Sequence, residues 1–105
     1  MPLSFDALRE ANVRRCVDAY HPIATWSESD WACAVAGEVG EMCHVIKLRR
    51  RDGRIDFQRD ELARELADIL IYADLLASRV GIDLGEAVRE TFNAKSCEVG
   101  SEVML

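Results

Sequence analysis

Proline is nearly missing from this chain of 105 residues: Pro2 and Pro22 are the only two. No segment combines period-two alternation with turn punctuation, so strands are not expected and the chain reads as nearly all helix. No run approaches the roughly eighteen consecutive apolar residues of a membrane span, and no basic segment followed by an apolar stretch opens the chain. Neither a transmembrane helix nor a signal peptide is expected, and the expected location is cytoplasmic.

Positive charge is also scarce. Thirteen Lys and Arg stand against 19 Asp and Glu, a formal net charge of −6. That balance argues against a binder of nucleic-acid polymers, while a small phosphorylated ligand approached through a metal ion remains compatible with it. The cysteines Cys16, Cys33, Cys43 and Cys97 form no C-x-x-C pair and fall where small apolar side chains suit a helix face, so they are expected to be buried free thiols. Half of the residues are apolar and 30% are charged, the balance of an ordinary globular domain. At this length a single domain, residues 1–105, has a thin core that oligomerisation would supplement.

Helix signals divide the chain into four segments. The first runs from Ser4 as N-cap to about Tyr20, with Val13, Cys16, Val17 and Tyr20 at helical spacing and His21-Pro22 ending it. Ser27-x-x-Asp30 resembles a capping box and starts a second helix that extends to about Arg51, where Asp52-Gly53 breaks it. A third begins between Asp56 and Asp60 and ends at Val80-Gly81. A fourth is capped by Asp83, with Glu86 three residues on, and the tail from Gly100 is expected to fray.

The second helix contains Gly37-Glu38-Val39-Gly40-Glu41-Met42, two glycines and two acids where a stable helix would avoid both. Val35, Val39, Met42 and Ile46 form one expected core stripe; Leu62, Leu66, Ile69, Ala73, Leu76 and Val80 form another. Beside the first stripe stand Glu38 and Glu41, and beside the second stand Glu65 and Asp68, so that E-V-G-E-M is echoed by E-L-A-D-I. Residues three apart share a helix face, and a short connection makes the two helices antiparallel neighbours, so the four carboxylates are expected to converge. Asp68 lies in a segment apolar nearly all round and needs a partner. With no Lys or Arg at a matching position, the partner that fits is a divalent cation. Hard oxygen donors without histidine or thiolate favour Mg²⁺ or Mn²⁺, which magnesium sites complete with water and phosphate oxygens. The competing reading is a solvated acidic face. Glu41-x-x-His44 has the spacing of a di-iron bundle, but such sites use the motif twice and His21 has no matching glutamate.

Glu38-Val-Gly-Glu41, followed after 23 residues by Glu65-Leu-Ala-Asp68-Ile-Leu-Ile-Tyr72, resembles the MazG-like all-α nucleoside triphosphate pyrophosphohydrolases. His21-Pro22, Trp26, Ser29-Asp30-Trp31, Lys47, Gly81-Ile82-Asp83-Leu84 and Phe92-Asn93-Ala94-Lys95-Ser96 extend the likeness over nearly the whole chain. The resemblance implies a four-helix, bundle-like MazG fold that assembles through helix-helix interfaces as a homodimer or homotetramer. It also implies hydrolysis of a (deoxy)nucleoside triphosphate to monophosphate and pyrophosphate, in nucleotide-pool housekeeping with deoxynucleotides preferred. Glu38, Glu41, Glu65 and Asp68 would hold Mg²⁺, with Mn²⁺ as a substitute, and Glu38 or Glu41 would serve as catalytic base. Lys47 would meet the phosphates, Tyr72 the sugar or base, and Asn93 and Lys95 the substrate. Trp31 and His21 would wall the base, against the alternative of a core tryptophan and a loop-capping histidine. Phosphoribosyl-ATP pyrophosphatase activity and a non-catalytic helical interaction module are the alternative functions. The glycines then belong to a small-residue face, Cys33, Ala36, Gly37 and Gly40, that admits another helix backbone.

Overall fold

A computed structural model describes residues 2–52 and 55–105, and the side chains of all of these but 52 and 55–58. Its architecture is all-α: helices α1 (Phe5–Arg15), α2 (Glu28–Asp52), α3 (Ile55–Arg79) and α4 (Leu84–Val99), with no strand among the described residues. The expected caps start three of them. Ser4 Oγ accepts the Ala7 N–H at 3.0 Å, and Asp83 Oδ1 accepts that of Glu86 at 3.0 Å. Ser27 and Asp30 reciprocate: the Ser27 N–H donates to Asp30 Oδ2 at 2.9 Å and the Asp30 N–H to Ser27 Oγ at 3.1 Å. The Ser27 N–H also holds the Asp30 carboxyl below its usual pKa range. Caps of this kind contribute about 1 kcal/mol each by satisfying helix donors that have no partner further back in the chain.

Departures from expectation have local causes. The first helix does not run unbroken to Tyr20; it widens at Cys16–Tyr20 into a π-helical turn, closed by the His21 N–H bonding to the Cys16 carbonyl at 2.8 Å. The second helix runs to Asp52, within a residue of its expected end, the third begins at Ile55, one residue ahead of expectation, and Gly53 lies outside the described residues. The tail is tied back rather than frayed. Gly100 caps α4 at φ +75°, the left-handed conformation that glycine adopts without strain, and the Ser101 N–H returns to the Ser96 carbonyl at 2.8 Å. Leu105 then pairs with Asn93, its N–H donating to Asn93 Oδ1 at 2.8 Å.

α2 and α3 form the most extensive pairing, a long αα-hairpin, and α1 packs across the C-terminal half of α3. The interior sits where these three meet: Cys16, Trp31 and Leu75 are buried, with Ile23, Trp26, Tyr72 and Leu76 packed around them. Asp74, only 1% exposed, is the ionic pin of this junction. Its carboxylate accepts from Arg9 Nε at 3.0 Å and from Asn12 Nδ2 at 3.1 Å, while Asn12 Nδ2 also reaches the Ile71 carbonyl at 2.9 Å. Arg9 Nη2 bonds the Ile82 carbonyl at 2.7 Å, fixing α1 to the start of the α3–α4 connection as well.

The expected core stripes are only partly interior. Val39, Ile46, Leu66 and Val80 are exposed, Val45, Leu75 and Ala77 are buried instead, and the expected burial of Cys33, Cys43 and Cys97 does not occur. The reason is a shortage of neighbours: among the described residues α2 packs extensively only against α3, which leaves part of its apolar surface uncovered. The chain is correspondingly open, with a radius of gyration of 16.2 Å, against about 13 Å for a compact domain near 100 residues. No helix among the described residues is long and apolar enough to cross a membrane.

Candidate functional site

Three of the four acids of α2 and α3 converge. Glu38, Glu65 and Asp68 each offer a carboxylate oxygen within 4.8 Å of the others. Their placement follows from the hairpin: the three-residue spacing on α3 puts Glu65 and Asp68 on the face that packs toward Glu38 of α2. Glu41 is exposed at the edge of this cluster and acts on it electrostatically. Glu38 Oε2 and Glu65 Oε2 are buried without a hydrogen-bond partner among the described residues. Burial raises the Glu38 pKa, and the charges of Glu41 and Asp68 push it the same way. For Glu65 burial again leads, followed by Glu41, with the Arg64 charge opposing. Two buried, unmatched carboxylate oxygens beside further acids are costly in the bare protein and suited to a hard divalent cation.

A cavity of about 380 Å³ opens beside the cluster, with Glu38 and Asp68 in its lining. Aromatic rings share that lining. His21, Trp26 and Trp31 form a tilted stack with ring centroids 4.8 Å (His21–Trp26), 4.6 Å (Trp26–Trp31) and 5.6 Å (His21–Trp31) apart, and Tyr72 lies 6.4 Å from Trp31. The stack is held by backbone bonds: Trp31 Nε1 donates to the Ile23 carbonyl at 3.0 Å, and His21 Nδ1 lies 2.9 Å from the Pro22 carbonyl, a contact its N–H tautomer donates. Trp31 is buried, as the core reading expects, and also lines the cavity. Burial raises the Tyr72 pKa, and Glu38 adds to the shift, so this hydroxyl stays protonated and available as a donor. Aromatic faces and carboxylates in one cavity suit a ligand with a flat ring and an anionic, metal-bridged portion.

Of the residues singled out from sequence, Glu38, Asp68, Tyr72, Trp31 and His21 line this cavity, and Glu65 completes the acid cluster. Lys47, Asn93 and Lys95 do not line it within this chain. Lys47 is exposed further along α2, Asn93 is engaged by Leu105, and Lys95 pairs with Glu98 at 3.3 Å on the exposed surface of α4. Sequence reasoning missed Asn12, Arg15, Tyr20 and Trp26, all in the cavity lining. Trp26 carried a signal, as a tryptophan five residues from another in a loop; the others belong to a helix whose polar residues resemble any solvated face.

A family model described as the MazG nucleotide pyrophosphohydrolase domain matches residues 27–96. No curated protein and no solved structure matches the chain. The matched segment contains all four acids, while the α1 and π-turn side of the cavity lies ahead of it. With well over half its length in that match, and with Glu38 of α2 brought together with Glu65 and Asp68 of α3, the chain belongs to the MazG nucleotide pyrophosphohydrolase domain family.

Proposed function

We propose that this domain, residues 1–105, hydrolyses nucleoside triphosphates to monophosphate and pyrophosphate, with deoxynucleotides preferred, in limiting surplus or non-standard nucleotides in the cytoplasm. The observation that carries the proposal is the pair of buried, unpartnered carboxylate oxygens on Glu38 and Glu65 beside a cavity walled by aromatic rings.

Glu38, Glu41, Glu65 and Asp68 would hold Mg²⁺ or Mn²⁺. When bound, such an ion neutralises charge on the phosphates and lowers the pKa of an attacking water. The chain's own contributions are orientation and proton handling. The His21, Trp26 and Trp31 rings offer faces for the base, and the Tyr72 hydroxyl, kept protonated, donates toward the sugar or base. Glu38, pushed toward neutrality by burial and its acidic neighbours, is suited to accept a proton from water at α-phosphorus; Glu41 is the alternative carboxylate for that role.

The exposed apolar residues Val39, Ile46, Leu66 and Leu70 support assembly as a homodimer or homotetramer. A pyrophosphatase-coupled phosphate assay over the common dNTPs and NTPs with Mg²⁺ tests the activity, and phosphoribosyl-ATP in the same panel separates the related activity. Turnover of dNTPs that is lost in Glu38→Ala and Glu41→Ala is the expected result. No turnover of any substrate would leave the domain as an interaction module.

A further inference from the structure

The acid cluster creates an electrostatic difficulty that the metal ligands alone do not solve. Four carboxylates carry a formal charge of about −4, and a triphosphate adds roughly as much again, so approach of the polyphosphate requires positive charge beyond that of an ion. Lys47 does not line the cavity, and Lys95 is engaged with Glu98. Among the described lining residues, Arg15 alone carries a fixed positive charge.

Arg15 is placed there by the Asp74 junction. Asn12, 3% exposed, is bonded to Asp74 and to the Ile71 carbonyl, and Arg15 follows three residues later on the same helical face. Cys16, the next residue, is 2% exposed and begins the π-helical turn, so the last turn of α1 has little freedom to rotate away. The Arg15 guanidinium forms no ion pair among the described residues, although Glu38 and Asp68 line the same cavity. Its charge is felt by Tyr72, where it opposes the rise in pKa. A guanidinium left unpaired at the mouth of an acidic cavity presents a planar fork of donors that matches phosphate oxygens.

We propose that Arg15, carried on a helix ahead of the matched family segment, is the phosphate-contacting cation of this site and discriminates the polyphosphate chain of the substrate. This rests on the nucleotide reading above and adds to it a residue that the acid motif does not contain.

The test compares wild type, Arg15→Gln and Arg15→Lys after thermal melts establish that all three fold. The probes are Mg²⁺-tripolyphosphate, a dNTP and the corresponding unphosphorylated nucleoside. Arg15→Gln should weaken tripolyphosphate binding by calorimetry, and raise the KM for dNTP, about tenfold or more, the loss expected for one charge-assisted hydrogen bond. Nucleoside affinity should stay within about twofold, and Arg15→Lys should recover part of the loss by keeping the charge without the fork. Unchanged tripolyphosphate binding in Arg15→Gln would overturn the proposal, as would an equal loss for nucleoside and tripolyphosphate. If wild type hydrolyses no triphosphate, the functional reading fails, and direct titration of tripolyphosphate still decides the role of Arg15.

Discussion

Glu38 of α2 and Glu65 of α3 face each other with carboxylate oxygens inside a 4.8 Å cluster, and each buries an Oε2 that no hydrogen-bond donor among the described residues meets. Within the bare protein this relationship is destabilising. It becomes favourable only when positive charge enters between the helices, and that conditional stability makes the site measurable without an activity assay.

The first consequence is pH-dependent stabilisation by metal. Both glutamates have pKa values raised above the ordinary 4.5. The folded protein therefore holds protons that the unfolded chain releases, so the metal-free fold loses stability as pH rises from the ordinary range through the raised values. Mg²⁺ should raise the melting temperature more near pH 8 than near pH 4.5, because protons compete with the ion for Glu38 and Glu65 as pH falls. Thermal melts in EDTA and in Mg²⁺ at both values check this, and an equal shift at both would contradict it.

Glu38→Gln separates stability from function. Removing a buried charge repelled by Glu41 and Asp68 should raise the melting temperature in EDTA at neutral pH, while turnover falls about 100-fold or more. A variant that is less stable in EDTA would show that Glu38 is already compensated in the bare protein.

Asp74 should behave in the opposite way. Its removal leaves Arg9 and Asn12 without their shared acceptor, so Asp74→Ala should cost about 3 kcal/mol in urea unfolding, at the lower end for a buried pair because Arg9 is partly exposed. A loss below about 1 kcal/mol would mean that α1 is held to α3 by packing alone.

The sequence was most legible where a structural role depends on residues close together in the chain. Ser4, Ser27 with Asp30, and Asp83 with Glu86 act within one helical turn, and all three caps form. The acid pairs were legible for the same reason, doubled by their echo on a neighbouring helix. Asp74 was not, because its partners lie 65 and 62 residues away, and nothing in local spacing distinguishes an aspartate awaiting Arg9 from one facing water. The core stripes misled for a different reason. Helical periodicity identifies an apolar face without specifying what covers it, and Val39, Ile46 and Leu66 stay exposed within one chain.

That open face yields a prediction about the glycines. A Cβ at Gly37 or Gly40 would meet nothing within 4 Å among the described residues, so their packing within a single chain does not require either glycine. If a second copy packs here, Gly40→Leu should shift the protein toward monomer in sedimentation or reduce activity, though it removes no proposed ligand. Unchanged assembly and turnover would show that the small-residue face serves no interface.

The central claim is that the carboxylates of α2 and α3 form a divalent-cation site. Calorimetric titration of Mg²⁺ and Mn²⁺ into wild type and Asp68→Ala, both verified as folded, tests it most directly. Saturable binding by wild type, weakened at least about tenfold in Asp68→Ala, is the predicted result. Equal, weak binding by both proteins would contradict the account.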